Sequence, residues 1–280
     1  MFSSILVATD LSESSDQVIK CLHGLRKFGA KKVILAHALG LKHLEDLKYV
    51  LTPMVEPKLL AQKAMIEKQG FETSVEIAPG VPEWEINRLA KEKKVSLIVV
   101  GSHGATLAKE VLLGSVAFKI LSSATTPALV VRLKIIEGNL GKRCEAVCED
   151  FSDTAERAFA YLEKIVESGG KRATLLHVQD KARIAKHLED RLDEFNQIDQ
   201  GRLARLKTRL VDKGATDVRI EIPYGSPIQE ILKRAKTEDF SLIVMGSQGR
   251  GFIPEIFLGS ISHNVVRHAP IPVLLVPALR

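Results

Sequence analysis

The chain of 280 residues is poor in cysteine, with three, has a single tryptophan, and carries aromatic residues at only 5%. Cys21, Cys144 and Cys148 are too few and too unevenly spread for a disulfide framework. Cys144 and Cys148 lie close enough to suggest a metal or redox pair, but no second pair or histidine cluster accompanies them, so all three read as buried, reduced, inert thiols. No apolar run has the length needed to span a bilayer, which argues against a membrane partner. Met1-Phe-Ser-Ser-Ile-Leu-Val enters a strand-like run with no basic segment before it, and the expected location is therefore cytoplasmic.

Several catalytic signatures are also missing. There is no G-x4-G-K-[ST] for P-loop hydrolysis and no G-x-G-x-x-G after the opening strand for a dinucleotide dehydrogenase. Neither H-E-x-x-H nor G-x-S-x-G occurs, and no base is placed beside a nucleophile by spacing alone. The net charge of +6 and pI near 9.1 invite a nucleic-acid reading. However, the lysines and arginines alternate with acids, as between Arg183 and Lys213, and few aromatics interleave to stack on bases. A solvated helix face is the expectation, with no nucleic-acid partner.

What the chain does have is one glycine pattern, twice. Gly101-Ser-His-Gly104 is followed, after nine intervening residues, by Gly114-Ser115, and Gly246-Ser-Gln-Gly249 is followed, after nine intervening residues, by Gly259-Ser260. Each copy comes after a run that reads as a buried strand, Ser96 to Val100 and Ser241 to Met245. Glycine lets the main chain approach an anion without an intervening side chain, and the N–H groups of a helix start supply donors and positive potential. The arrangement is that of a phosphate cradle, so two candidate nucleotide sites are expected.

The duplication extends beyond these loops. Gly80-Val-Pro82 matches Gly225-Ser-Pro227 and Pro127 matches Pro272 at one constant offset. Near the start, Val7 to Asp10 faces Val147 to Asp150, and Leu35 to Ala38 faces Leu175 to Val178, at an offset shorter by five. An insertion is therefore expected in the helical stretch after Asp180, where it would yield a long amphipathic helix bearing Leu188, Leu192, Phe195, Ile198, Leu203, Leu206 and Leu210.

Short apolar runs alternate with helical patterns in both halves, which implies parallel strands joined by right-handed crossovers with helices on both faces. The expected fold class is α/β, with two tandem Rossmann-like domains, each a five-stranded parallel sheet flanked by helices. Strands are expected near Ile5–Ala8, Lys32–Ala38, Ser74–Ile77, Ser96–Val100 and Ala128–Val131, then Glu145–Cys148, Arg172–Val178, Val218–Ile222, Ser241–Met245 and Val273–Val276. Domain limits of 1–134 and 142–280 leave a short join around Glu137-Gly-Asn-Leu-Gly141, across which the halves are expected to pack. Ligands of such sheets bind beyond the carboxyl ends of the strands, where connections reverse direction. If the first and fourth strands are neighbours, Asp10 and Gly101 face one crevice.

Taken together, these residues resemble the universal stress protein family, a branch of the adenine-nucleotide alpha hydrolase-like superfamily. The nucleotide-binding branch carries G-x2-G-x9-G-[ST], which both copies match. The resemblance implies that the early aspartate meets the ribose or adenine side, that backbone at the end of the second strand recognises adenine, and that the glycine-serine segment holds phosphates. This assigns Asp10, Ala38, Gly101, Gly104, Gly114 and Ser115 to the first site, and Asp150, Val178, Gly246, Gly249, Gly259 and Ser260 to the second. Arg250, where the first copy has Ala105, suits phosphate oxygens, and Ser262, where it has Ala117, adds a hydroxyl. Glu149 beside Asp150 would repel a polyanion unless a metal such as Mg²⁺ intervenes.

The resemblance thus implies an ATP- or AMP-binding sensor or regulator in stress response, with an internal pseudo-dimer formed through the final strands and a further homodimer. Two rivals stay open: a slow ATPase or phosphotransferase acting through Ser115 or Ser260, and an assembly module whose sites stay empty. Any single aspartate or glycine here reads equally well as a helix cap or strand end. His37 and His177 recur at strand ends and read as hydrogen-bonded packing residues.

Overall fold

A computed structural model describes residues 1–40, 47–102, 113–131, 144–148, 150–184, 191–238, 240–249 and 258–278. They form two compact units, one essentially the first half of the chain and the other the second. In the first, β1 (Ser4–Ala8) leads to α1 (Glu13–Lys20), a 3₁₀ helix (Leu22–Phe28), β2 (Lys32–Ala38), α2 (Leu47–Glu67) and β3 (Glu72–Ala78). Then come α3 (Pro82–Glu92), β4 (Leu97–Gly101), α4 (Ser115–Ser123) and β5 (Ala128–Val131). The strands pair in parallel in the order β3-β2-β1-β4-β5.

The second unit runs β6 (Cys144–Cys148), α5 (Asp153–Glu167), β7 (Arg172–Leu176), β8 (Gln179–Asp180), α6 (Leu192–Asp212), β9 (Asp217–Glu221) and β10 (Tyr224–Gly225). It continues with α7 (Pro227–Thr237), β11 (Phe240–Gly246), α8 (Ser260–His268) and β12 (Val273–Val276). Its parallel order, β9-β7-β6-β11-β12, repeats the first. The α/β class with parallel sheets is as the sequence implies.

The central strands are unbroken apolar runs because helices cover both faces of a parallel sheet. Leu97, Ile98, Val99 and Val100 are buried, as are Leu242 to Met245 in the second unit. At equivalent places α1 and α5 begin on a serine: the hydroxyls of Ser12 and Ser152 accept from the N–H groups of Ser15 and Ala155. In both units the chain runs outward in one direction from the first strand and in the other from the fourth. The switch points therefore lie between β1 and β4 and between β6 and β11, which are hydrogen-bonded neighbours.

Two details depart from the sequence reading. The helices α2 and α6 are both 21 residues long, so the insertion does not lengthen a helix. It precedes α6, in the connection that carries β8, whose short pairing with β10 has no signal in the sequence pattern. The buried stripe of α6 is Asp199, Leu203, Leu206 and Leu210, whereas Ile198 is 56% exposed; Leu188 lies outside the described residues. One position of drift puts a carboxylate where an apolar side chain is expected, because His177 and Gln179 meet it there.

The helix α2 contains Pro53 and Pro57. Both are exposed, so the carbonyls that lose an N–H partner can turn to water. Basic residues at the end of α6 are engaged by acids: Arg209 reaches Glu163 at 3.0 Å and Glu156 at 2.7 Å, and Lys213, the C-cap, reaches Glu167 at 2.6 Å. Pro57→Ala is expected to restore a helical hydrogen bond and raise stability by about 1–3 kcal/mol. Urea denaturation checks this, and a lower midpoint in the variant would show that the rest of the fold depends on the distortion.

Candidate functional site

The crevice begins at the ends of β1 and β6. In the first unit Asp10 Oδ1 accepts from the Ser12 backbone N–H at 3.1 Å, the Ser12 hydroxyl at 2.5 Å and the Ser15 hydroxyl at 2.6 Å. In the second, Asp150 Oδ1 accepts from Ser152 N–H at 3.1 Å and its hydroxyl at 2.5 Å. The intervening residues, Leu11 and Phe151, have φ of 63° and 58°, a left-handed conformation unusual for side chains of this size. The same strained turn in both repeats fixes an aspartate at the mouth of the sheet.

The second wall is the backbone beyond β2 and β7. The Leu39 N–H donates to Ala78 O, and the N–H groups of His177 and Gln179 donate to Glu221 and Pro223, all toward the outer strand. Successive peptide groups of a strand face opposite edges. The backbone of Ala38 and of Val178 therefore faces the side where β1 and β6 have ended, above the crevice.

The third wall is the glycine loop. The N–H of Ser102 donates to Val131 O at 3.0 Å and that of Ser247 to Val276 O at 2.8 Å. The loops then return to the same point: Gly114 N–H donates to Ser102 O at 2.8 Å, and Gly259 N–H to Ser247 O at 2.7 Å. The helices α4 and α8 start at the closure, with Gly114 and Gly259 as N-caps and no side-chain cap on either. Ser115 and Ser260 are exposed in the first turn, where N–H groups have no intrahelical partner.

This arrangement brings together Asp10, Ala38, Gly101, Gly114 and Ser115 in the first unit, around the end of β1 and its neighbours. In the second it brings together Asp150, Val178, Gly246, Gly249, Gly259 and Ser260. Gly104 and Arg250 lie outside the described residues, as do Ala105, His103 and Glu149. The buried hydroxyl of Ser262 donates to Gly246 O at 2.9 Å and ties the strand end to α8. Ala117, at the matching place, has no hydroxyl for such a bond.

The family model described as the universal stress protein family matches residues 1–132 and again 146–277. The chain belongs to the universal stress protein family. A universal stress protein of Methanocaldococcus jannaschii is 30% identical over 157 residues, which cover 48% of this chain and 97% of that one. A Thermus aquaticus member is 37% identical over 45% of this chain and 93% of its own length. The crystal structure of a universal stress protein from Archaeoglobus fulgidus aligns over 99% of this chain and 98% of that chain, with a TM-score of 0.78 and 27% identity.

In this universal stress protein the loop glycines are required for different reasons. A Cβ on Gly246 would lie 2.5 Å from Thr154 Oγ1 and 3.0 Å from Thr154 backbone carbon, and one on Gly249 would lie 2.5 Å from Asp150 Oδ2. These positions are glycine because α5 and the aspartate press against the loop. At Gly259 a Cβ would meet nothing nearer than 3.5 Å, and φ is −67°; at Gly114 φ is −58°. Among the described residues nothing demands glycine at Gly259.

Sequence reasoning missed the side chains that lock the second crevice. Thr154 Oγ1 donates to Gln248 O, joining α5 to the loop. Asp199 Oδ2 lies 3.3 Å from His177 Nε2 and accepts from Gln179 Nε2 at 3.2 Å, while its other oxygen is 3.7 Å from Arg202. Phe151 lies against His177, with ring centroids 4.7 Å apart, and under the Arg202 guanidinium at 5.0 Å. In the first unit His37 Nδ1 is 2.9 Å from Thr9 O. Both histidines are hydrogen-bonded residues of the fold. Neither carries a signal in sequence spacing that would have named its partner.

Among the described residues no group of three or more His, Cys, Asp or Glu could hold a metal ion, and no helix is long and apolar enough to cross a membrane. Cys21 and Cys148 are half-buried thiols, and burial pushes the Cys21 thiol up to about 12, keeping it protonated and unreactive at neutral pH. The glycine contrast is testable by urea denaturation. Gly249→Ala should destabilise by about 1–3 kcal/mol, whereas Gly259→Ala should stay within about 0.5 kcal/mol of the parent. Equal losses at both positions would mean that Gly259 too is demanded by the fold.

Proposed function

We propose that each repeat binds an adenine nucleotide in its switch-point crevice and that the chain works as a nucleotide-responsive sensor or regulator in stress response. The observation that carries this reading is the pair of uncapped helix starts behind closed glycine loops. In each, first-turn N–H groups have no intrahelical partner, and in the second repeat Gly259 meets no described atom nearer than 3.5 Å from a Cβ position. Phosphates suit that wall. The carboxylates of Asp10 and Asp150 suit ribose hydroxyls, which donate to them, and would repel phosphate. The backbone of Ala38 and Val178 supplies a donor and an acceptor for the edge of adenine.

ATP and AMP both fit this division of labour. In the second repeat Arg250 would engage two phosphate oxygens together, and Mg²⁺ would offset the adjacent Glu149 and Asp150 carboxylates. Regulation then follows from linkage, because a ligand that binds the folded crevice stabilises it in proportion to its occupancy, and a partner can read that state. The exposed hydroxyls of Ser115 and Ser260 beside the proposed phosphates favour, as a second reading, slow phosphate transfer to one of them.

Calorimetric titration should find ATP and AMP binding at micromolar to millimolar strength and GTP binding more weakly. Combining Gly114→Val and Gly259→Val should reduce ATP affinity at least about tenfold, or 1.4 kcal/mol, with the circular dichroism spectrum unchanged. The two single variants should differ, with the second repeat losing more affinity in chelator. Indifference to the base, or full affinity in the double variant, would remove the nucleotide reading. Cleavage of ATP at ordinary enzymatic rates, on the order of 1–1000 per second, would replace the sensor with an ATPase.

A further inference from the structure

The side chain of Gln248 is buried, at 5% exposure, yet neither Nε2 nor Oε1 has a hydrogen-bond partner. Buried polar groups are ordinarily satisfied, because an unmade bond in a low-dielectric interior is destabilising. Gln69, Asn87 and Gln179 each leave only a carbonyl oxygen idle while the amide nitrogen donates. Among the buried carboxamides of the described residues Gln248 alone is idle at both ends.

Its surroundings make this more pointed. The carbonyl before it, on Ser247, accepts from Gly259 N–H; its own carbonyl accepts from Thr154 Oγ1; and the glycine after it lies against Asp150. The backbone is fixed on every side, and the carboxamide is the part left over. Leucine has nearly the same volume and would fill the space without the penalty, so packing does not ask for an amide.

We propose that Gln248 is a ligand-reading side chain of the second repeat: when a nucleotide enters, its carboxamide turns out of the protein, Nε2 donating to a phosphoryl oxygen and Oε1 accepting from a ribose hydroxyl. The proposal rests on the nucleotide reading above and deepens it. A carboxamide carries one donor group and one acceptor with no charge. A nucleoside phosphate satisfies both, whereas inorganic tripolyphosphate satisfies the donor alone. His103 stands at the equivalent sequence position of the first repeat, and an imidazole in its neutral form likewise has one donor and one acceptor. Because the backbone is pinned, the change is confined to side-chain torsions.

The test uses the full chain carrying Gly114→Val, so that titration reads the second repeat, with Gln248→Leu added. Gln248→Met repeats the comparison with an unbranched side chain should leucine pack poorly. ATP affinity should fall at least about tenfold, tripolyphosphate affinity should fall less, and the thermal midpoint of the ligand-free protein should rise. ATP binding within twofold of the parent, equal losses for both ligands, or a lower ligand-free midpoint in both variants would overturn the role of Gln248. If the Gly114→Val parent itself binds no ATP or AMP, the nucleotide reading of this repeat fails and the proposal falls with it.

Discussion

The site depends on a single backbone hydrogen bond made twice: Gly114 to Ser102, and Gly259 to Ser247. Each closes a loop of about a dozen residues at its base, so the helix that follows starts where the strand ended. Without that closure the uncapped N–H groups of α4 and α8 would not stand over the switch point, and the sheet would present only strand ends. The bond requires no particular side chain, since donor and acceptor are both peptide groups. What it does require is room for Gly246 to pass Thr154 and for Gly249 to pass Asp150, which glycine alone provides.

The opposite wall is held by strain. A non-glycine residue in the left-handed region costs on the order of 1 kcal/mol, and Leu11 and Phe151 both adopt it directly after the aspartate. The turn gives each carboxylate two donors from a serine two residues on, while that serine also caps the following helix. Capping and carboxylate placement are thus one device. The bland reading of Asp10 as part of a helix start and the functional reading of it as a site residue describe the same geometry, which explains why neither could be preferred from the residue alone.

Strand positions and the parallel sheet class were legible because a buried parallel strand is written as an unbroken run, as in Leu97–Val100 and Leu242–Met245. The glycine loops were legible because spacing, strand context and repetition coincide. What stayed hidden depends on partners distant in sequence. Asp199 is buried through His177 and Gln179, so local periodicity pointed to Ile198, its neighbour, instead. Pro53 and Pro57 argue against a helix locally, but only burial of Leu59 and Ile66 on the far face shows that the helix forms regardless. Gln248 lies inside the recognised motif, but an unmet hydrogen bond has no sequence signature. The two roles of glycine, clearance at Gly246 and Gly249 and an open face at Gly259, are likewise identical as letters.

The repeats keep their backbone and exchange the side chains that support it. In the first, α2 reaches the end of β1 through Gln62, which accepts from the Thr9 hydroxyl at 2.8 Å and donates to Asp16 at 2.7 Å. This is a neutral amide bridging strand and helix. In the second, α6 reaches the end of β7 through Asp199, a carboxylate engaged with His177, Gln179 and Arg202. The aromatic ring of Phe151 stands beside His177 and Arg202 where the first repeat has Leu11. Backbone bonds tolerate such exchange because they are blind to side-chain identity, whereas the field inside a crevice is set by the side chains that line it. Duplication has therefore preserved the wall that is made of peptide groups, and left the side that α2 and α6 support with side chains free to diverge.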